Sequence, residues 1–168
     1  RRQPHESGSA GWITDAADAG FAGVVVITLP VGAEHARAAA SRGVSVVAID
    51  PVSPAPTTVT TVRSSNEQGG YDATSHLLRL GHTRIAAVLG MEGSAPSVQR
   101  RDGYHAALRE AGLQPDPELV RSGDFRYEGG LVAGNDLLRM DHPPTAVFAH
   151  NDHMAMGVME AARRLGMR

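Results

Sequence analysis

The chain has 168 residues, 42% of them apolar, and a net charge of −2, which bounds it to one ordinary domain or two small lobes with a real core. Cysteine is absent and all 16 basic residues are arginine, so disulfides, thiolate nucleophiles, cysteine-ligated zinc, the lysine of a P-loop and Schiff-base chemistry are all excluded. The arginine pairs 1–2, 100–101 and 163–164 are scattered rather than pooled, which makes this segment by itself a poor nucleic-acid binder. No run approaches the ~18 apolar residues of a membrane span, and the opening RRQPHESGSAG lacks the apolar part of a signal peptide. A soluble, cytoplasmic protein is expected.

In chain order, helical stretches end in glycine and apolar, β-rich runs follow them. Residues 12–19 close at Gly20 before GVVVI, and 33–42 close at Gly43 before VSVVAI. Residues 67–80 close at Gly81 before RIAAVL, and 97–111 close at Gly112 before ELVRSGDF. Helix 128–140 leads through His142-Pro143-Pro144 to TAVFA, and 153–165 closes at Gly166. Each glycine suits the left-handed residue that ends a helix. Strands that read as continuous apolar runs between helices predict an α/β protein with parallel sheets covered by helices. The chain opens on a helix and stops where a strand is due, so a fragment of a longer protein is expected.

The segment DPVSPAPTTVTTVRSSN breaks the alternation: prolines, then a Thr/Val strand, with no helix between Ile49 and Val62. Two strands in succession suggest that the chain finishes one sheet and crosses to another, with a boundary near residue 64. The competing arrangement is one sheet with an edge excursion.

Ligands of open parallel sheets bind beyond the carboxyl ends of the strands, where loops and helix N-termini converge. Those exits carry Thr28, Asp50, Ser64-Ser65, the loop from Gly90 to Pro96, Asp124-Phe125 and Asn151-Asp152, with Arg100 close behind one of them. Each has an ordinary alternative. Asp152 could be a helix N-cap, Asp50 a turn aspartate, Arg100 a solvated helix residue and Phe125 core. Asn151 resists such a reading, because a buried amide without partners costs about 1–3 kcal/mol. In HNDH, His150, Asp152 and His153 stand close together, yet one histidine ends a strand and the other opens a helix, so no metal site is expected. No catalytic motif is present, and no cofactor is implied. On the last helix, Ala155, Val158, Met159, Ala162 and Leu165 form the expected core arc. Met156 falls outside it as a possible dimer contact.

Taken together, LGHTRIAAVLG, RDGYHAALREAGL and NDHMAMG resemble the effector-binding core of lactose-repressor-type (LacI/GalR) transcriptional regulators, and the resemblance runs through most of the chain. It implies a type I periplasmic-binding-protein-like fold of two Rossmann-like lobes, residues 1–64 forming part of the N-terminal lobe and 65–168 most of the C-terminal lobe, both incomplete. It implies a small effector, usually a sugar or nucleobase, held in the cleft between lobes. Asp50, Arg100, Phe125 and Asn151 occupy matching ligand-contacting positions, with Asp152 beside them. A homodimer is implied too, reading operator DNA through a helix-turn-helix headpiece absent from this chain. Ser64-Ser65 departs from the acidic or amide pair common in members, and Pro51 from an aromatic. The alternative with the same fold is a sugar-binding protein of a bacterial uptake system. A catalytic α/β domain is the rival from a different class.

Overall fold

The computed structural model describes residues 10–167, which form an α/β protein with two three-stranded parallel sheets. The basic pair Arg1-Arg2 lies outside the described residues. The chain divides into two compact units, Arg1–Ser64 and Ser65–Arg168.

In the first unit, α1 (Gly11–Asp18), β1 (Gly23–Ile27), α2 (Ala33–Arg42), β2 (Ser45–Ile49) and β3 (Thr60–Val62) follow one another, and the strands lie in the order β1-β2-β3. Val24 and Val26 of β1 pair in register with Val46 and Ala48 of β2. These side chains share one face, where Trp12 and Ile13 of α1 and Ala36 and Ala39 of α2 pack on them. The other face holds Val25, Ile27 and Val62, each more than half exposed. The Thr/Val run, expected to lie before a boundary near residue 64, is the third strand of this sheet, paired with β2 through Ile49 and Val62.

In the second unit come α3 (Asn66–Arg79), β4 (Ile85–Leu89), α4 (Ala95–Glu110), a short 3-10 turn at Pro117–Leu119, β5 (Val120–Ser122), α5 (Tyr127–Leu138), β6 (Ala146–Ala149) and α6 (Asp152–Arg164). The strand order is β5-β4-β6, so β4 is central, and its Ile85, Ala86, Ala87 and Val88 are all buried. Alternation splits them between two cores. Ile85 and Ala87 meet Tyr104 and Leu108 of α4, while Ala86 and Val88 meet Ala133, Leu137, Met154 and Val158 of α5 and α6. Each large apolar side chain buried there contributes roughly 1.5–3 kcal/mol. The Tyr104 hydroxyl donates to the Ile85 carbonyl at 2.7 Å, and burial, aided by Asp116, pushes its pKa up to about 12.

Helix ends follow the expectation closely: Gly20, Gly43, Gly81, Gly112 and Gly166 all have positive φ. The last helix differs in the face it buries. Its inward stripe is Met154, Gly157, Val158 and Ala161, and Met159, expected in the core, is 70% exposed. The cause is Gly157, where a Cβ would stand 2.3 Å from the Tyr127 carbonyl oxygen. Backbone packs on backbone there, so the helix turns a glycine inward, which a count of apolar side chains does not register.

Candidate functional site

The carboxyl ends of β4, β5 and β6 bring Arg100, Phe125, Asn151 and Asp152 to one edge of the second unit's sheet. Asn151 stands between β6 and α6 with extended backbone. Its Oδ1 accepts from the Met154 N–H at 3.0 Å, capping α6, and its Nδ2 donates to the Phe125 carbonyl at 2.8 Å. One amide therefore holds two strand exits together. The cap belongs to Asn151 rather than to Asp152, because α6 begins at Asp152 itself. Asp152 lies exposed in the first turn, where its carboxylate complements the helix dipole.

Arg100 lies in the second turn of α4, since that helix begins at Ala95 rather than at 97. Its Nε donates to Asn66 Oδ1 at 2.9 Å, and its Nη1 donates to the His150 carbonyl. These bonds use two of five guanidinium donors and orient the fork. Asn66, buried at the start of α3, also donates from Nδ2 to Gln99 at 3.3 Å. Phe125 has φ 65°, a left-handed conformation rare for an aromatic residue. The preceding Asp124 accepts from the Arg126 N–H at 2.9 Å and tightens the same turn.

His150 is 3% exposed, whereas His153 is exposed on α6, so the two rings of HNDH do not converge. His150 Nδ1 accepts from the Gly90 N–H at 3.4 Å and lies 3.4 Å from Ser97 Oγ. With Nδ1 accepting, the neutral ring carries its proton on Nε2, which is buried without a partner among the described residues. Burial, reinforced by Arg100 and Arg101, pushes the His150 pKa down to about 3, so the ring is neutral at pH 7. A hollow of about 200 Å³ opens at this edge, lined among others by Gly90, Glu92, Ser97, Arg101 and Ser122.

Asp50 belongs to the first unit and stands at the carboxyl edge of its sheet. Its φ is 43°, its Oδ1 accepts from the Ser64 N–H at 2.7 Å, and its other carboxylate oxygen accepts from the Ser64 hydroxyl. Thr28, at the exit of β1, has φ 53°. Among the described residues, the non-glycine positions with positive φ are thus Thr28, Asp50 and Phe125, each just beyond a strand. Strained backbone of this kind gathers at ligand-binding sites. A larger hollow of about 600 Å³, between α2 and the strands β2 and β3, contains none of the candidate residues and is lined mainly by alanine, valine and threonine.

Sequence reasoning did not single out Asn66 or the inward turn of His150. An amide at a helix start directly after Ser64-Ser65 was a signal for the first. The second had none, because strand-end position does not say which face a side chain takes.

Residues 11–168 match the model of the family described as periplasmic binding proteins and the sugar-binding domain of the LacI family. The chain belongs to this family. The LacI-type match extends to the Escherichia coli K12 repressor CytR, 40% identical over 108 residues that make up 64% of this chain and 32% of the repressor. Among solved structures, the complex of the transcriptional regulator CelR with cellobiose superposes with a TM-score of 0.82 at 32% identity, over 94% of this chain and 49% of that one. A LacI-type regulator from Enterococcus faecium with bound ribose gives a TM-score of 0.82 at 25% identity, over 94% of this chain and 58% of that one. The chain thus spans about a third of its curated relative and about half of its structural neighbours.

Proposed function

We propose that this chain is the effector-sensing part of a LacI-type DNA-binding transcriptional regulator and that its ligand is a small sugar, bound without turnover. The observation that carries this reading is the linked edge of the second unit. Asn66, Arg100 and the His150 carbonyl form one hydrogen-bonded set and Asn151 with the Phe125 carbonyl a second, joined to it through the 150–151 peptide, in a family whose members include regulators holding cellobiose and ribose. Arg100 supplies charged donors to hydroxyls, Asn151 orients the edge, Asp152 offers an exposed carboxylate, and Phe125 meets the apolar face of a ring. Charge-assisted hydrogen bonds contribute roughly 1.5–3 kcal/mol each before ordering costs. Asp50, held by Ser64 at the edge of the first unit's own sheet, is a ligand-contacting carboxylate in the same reading.

Effector binding regulates only through unequal affinity for two states. In the whole regulator this shifts how a cytoplasmic homodimer presents its operator-reading headpieces. Met156, half exposed on α6, is a dimer contact in this reading. Among the described residues no helix is long and apolar enough to cross a membrane.

The test is a thermal-shift screen with cellobiose, ribose and related sugars, followed by titration. A true ligand at about 100 times its Kd adds about 2.7 kcal/mol of stability. Arg100→Ala is expected to abolish the shift while leaving the fold intact. Full affinity retained in both Arg100→Ala and Asn151→Ala removes the site assignment, and turnover of a bound sugar returns the catalytic reading.

A further inference from the structure

Gly90, the first residue beyond β4, is tied to the exit of β5 by an approach that no other residue type permits. A Cβ placed on Gly90 would stand 1.9 Å from Phe125 Cζ, 2.1 Å from Cε1 and 2.5 Å from Cε2. The far end of the Phe125 ring therefore fills the space of the absent side chain, and the ring lies across the end of β4. The near end is held as firmly. Phe125 takes a left-handed backbone, its carbonyl accepts from Asn151 Nδ2 at 2.8 Å, and its side chain packs against the core of Val88 and Met154. Backbone strain in a bulky residue persists only where the surroundings over-determine it.

The geometry points to Gly90 as a positioning residue for effector binding: it seats the tip of the Phe125 ring, while Asn151 holds the root, so the aromatic platform stands at a set height over the sheet edge before any ligand arrives. This rests on the reading of that edge as the sugar site. A platform fixed in advance binds without the cost of ordering a rotamer-rich side chain. Gly90 itself needs no left-handed backbone, since it is not among the glycines with positive φ. A methyl group there displaces the ring rather than breaking the strand.

The test uses the 168-residue chain labelled with ortho-fluorophenylalanine, whose fluorine sits away from the ring's far end. The chain has three phenylalanines, so the fluorine spectrum has one resonance each for Phe21, Phe125 and Phe148. Gly90→Ala is expected to move the Phe125 resonance and leave that of Phe21 in place. Affinity for whichever of cellobiose or ribose binds the wild-type chain should fall about tenfold. Phe125→Leu, which lacks the distal ring carbons, should make Gly90→Ala nearly silent in affinity, which a merely structural glycine would not show. A Phe125 resonance unmoved by Gly90→Ala overturns the proposal, as does an equal loss of affinity in the Phe125→Leu background. A wild-type chain in which neither sugar moves any resonance overturns the effector reading instead. The two failures are distinct, because the first is read without any sugar.

Discussion

The second unit wraps its central strand on both faces, whereas the described part of the first unit packs helices on one face of its sheet only. β4 has four consecutive buried residues between the helix pairs α3/α4 and α5/α6. β1 alternates, with Val26 buried and Val25 and Ile27 each 59% exposed. Both sheets are parallel and both are built from similar apolar runs, so local sequence does not distinguish them. What differs is how many helices each strand finds to cover it. The consequence is a gradient in the cost of mutation and in the environment of polar groups: at a strand exit the second unit buries a histidine side chain whose Nε2 has no partner among the described residues.

Four measurements break or sharpen that contrast. Leu137→Ala, at a fully buried position of the second unit, is expected to cost about 3 kcal/mol in denaturant unfolding, the order found for large-to-small changes in packed cores. Acidification comes next. The folded His150 has its pKa depressed below that of the unfolded chain, so its contribution to stability is complete above pH 6.5 and is lost as pH falls toward about 3. Between pH 7 and pH 5 this amounts to about 2 kcal/mol. His150→Gln, compared with wild type at both pH values, should remove that part of the slope, and an unchanged slope would show that the ring is not held neutral by burial.

Asn151→Ala removes both the α6 cap and the bond to the Phe125 carbonyl, with an expected loss of about 1–2 kcal/mol. Restoring an acceptor with Asn151→Asp should recover the cap but not the bond to Phe125, so the difference between the two variants isolates the link between strand exits. Smallest is Val25→Thr on the open face of the first unit, expected within about 0.5 kcal/mol of wild type. A cost comparable to that of Leu137→Ala would show that this face is covered in solution and would end the contrast.

Much of the architecture was legible because its determinants are local. The apolar runs GVVVI, SVVAI and IAAVL became β1, β2 and β4, and helix 33–42 was read to the residue, since Gly43 marks its end by a backbone preference that needs no partner. The strand after Gly112 was less legible. ELVRSGDF holds only a three-residue strand, because Pro117–Leu119 forms a 3-10 turn capped by the Asp116 side chain. The candidate edge was legible as a set of positions, for polar residues at strand ends are visible in any sequence. Their bonding was not. Which carbonyl receives Arg100 and what holds Phe125 in its left-handed backbone depend on groups 50 and 26 residues away in sequence.

By itself, then, the sequence determined the α/β alternation and the places where helices stop, through properties each segment carries alone, and the family, through several segments taken together. Tertiary structure decided which face α6 buries, that His150 turns inward, and that Gly90 lies under the ring of Phe125. The physical reason is that close approach between distant backbones is set by the absence of side chains as much as by their presence. Periodicity counts the side chains that are there and is blind to the space a glycine leaves.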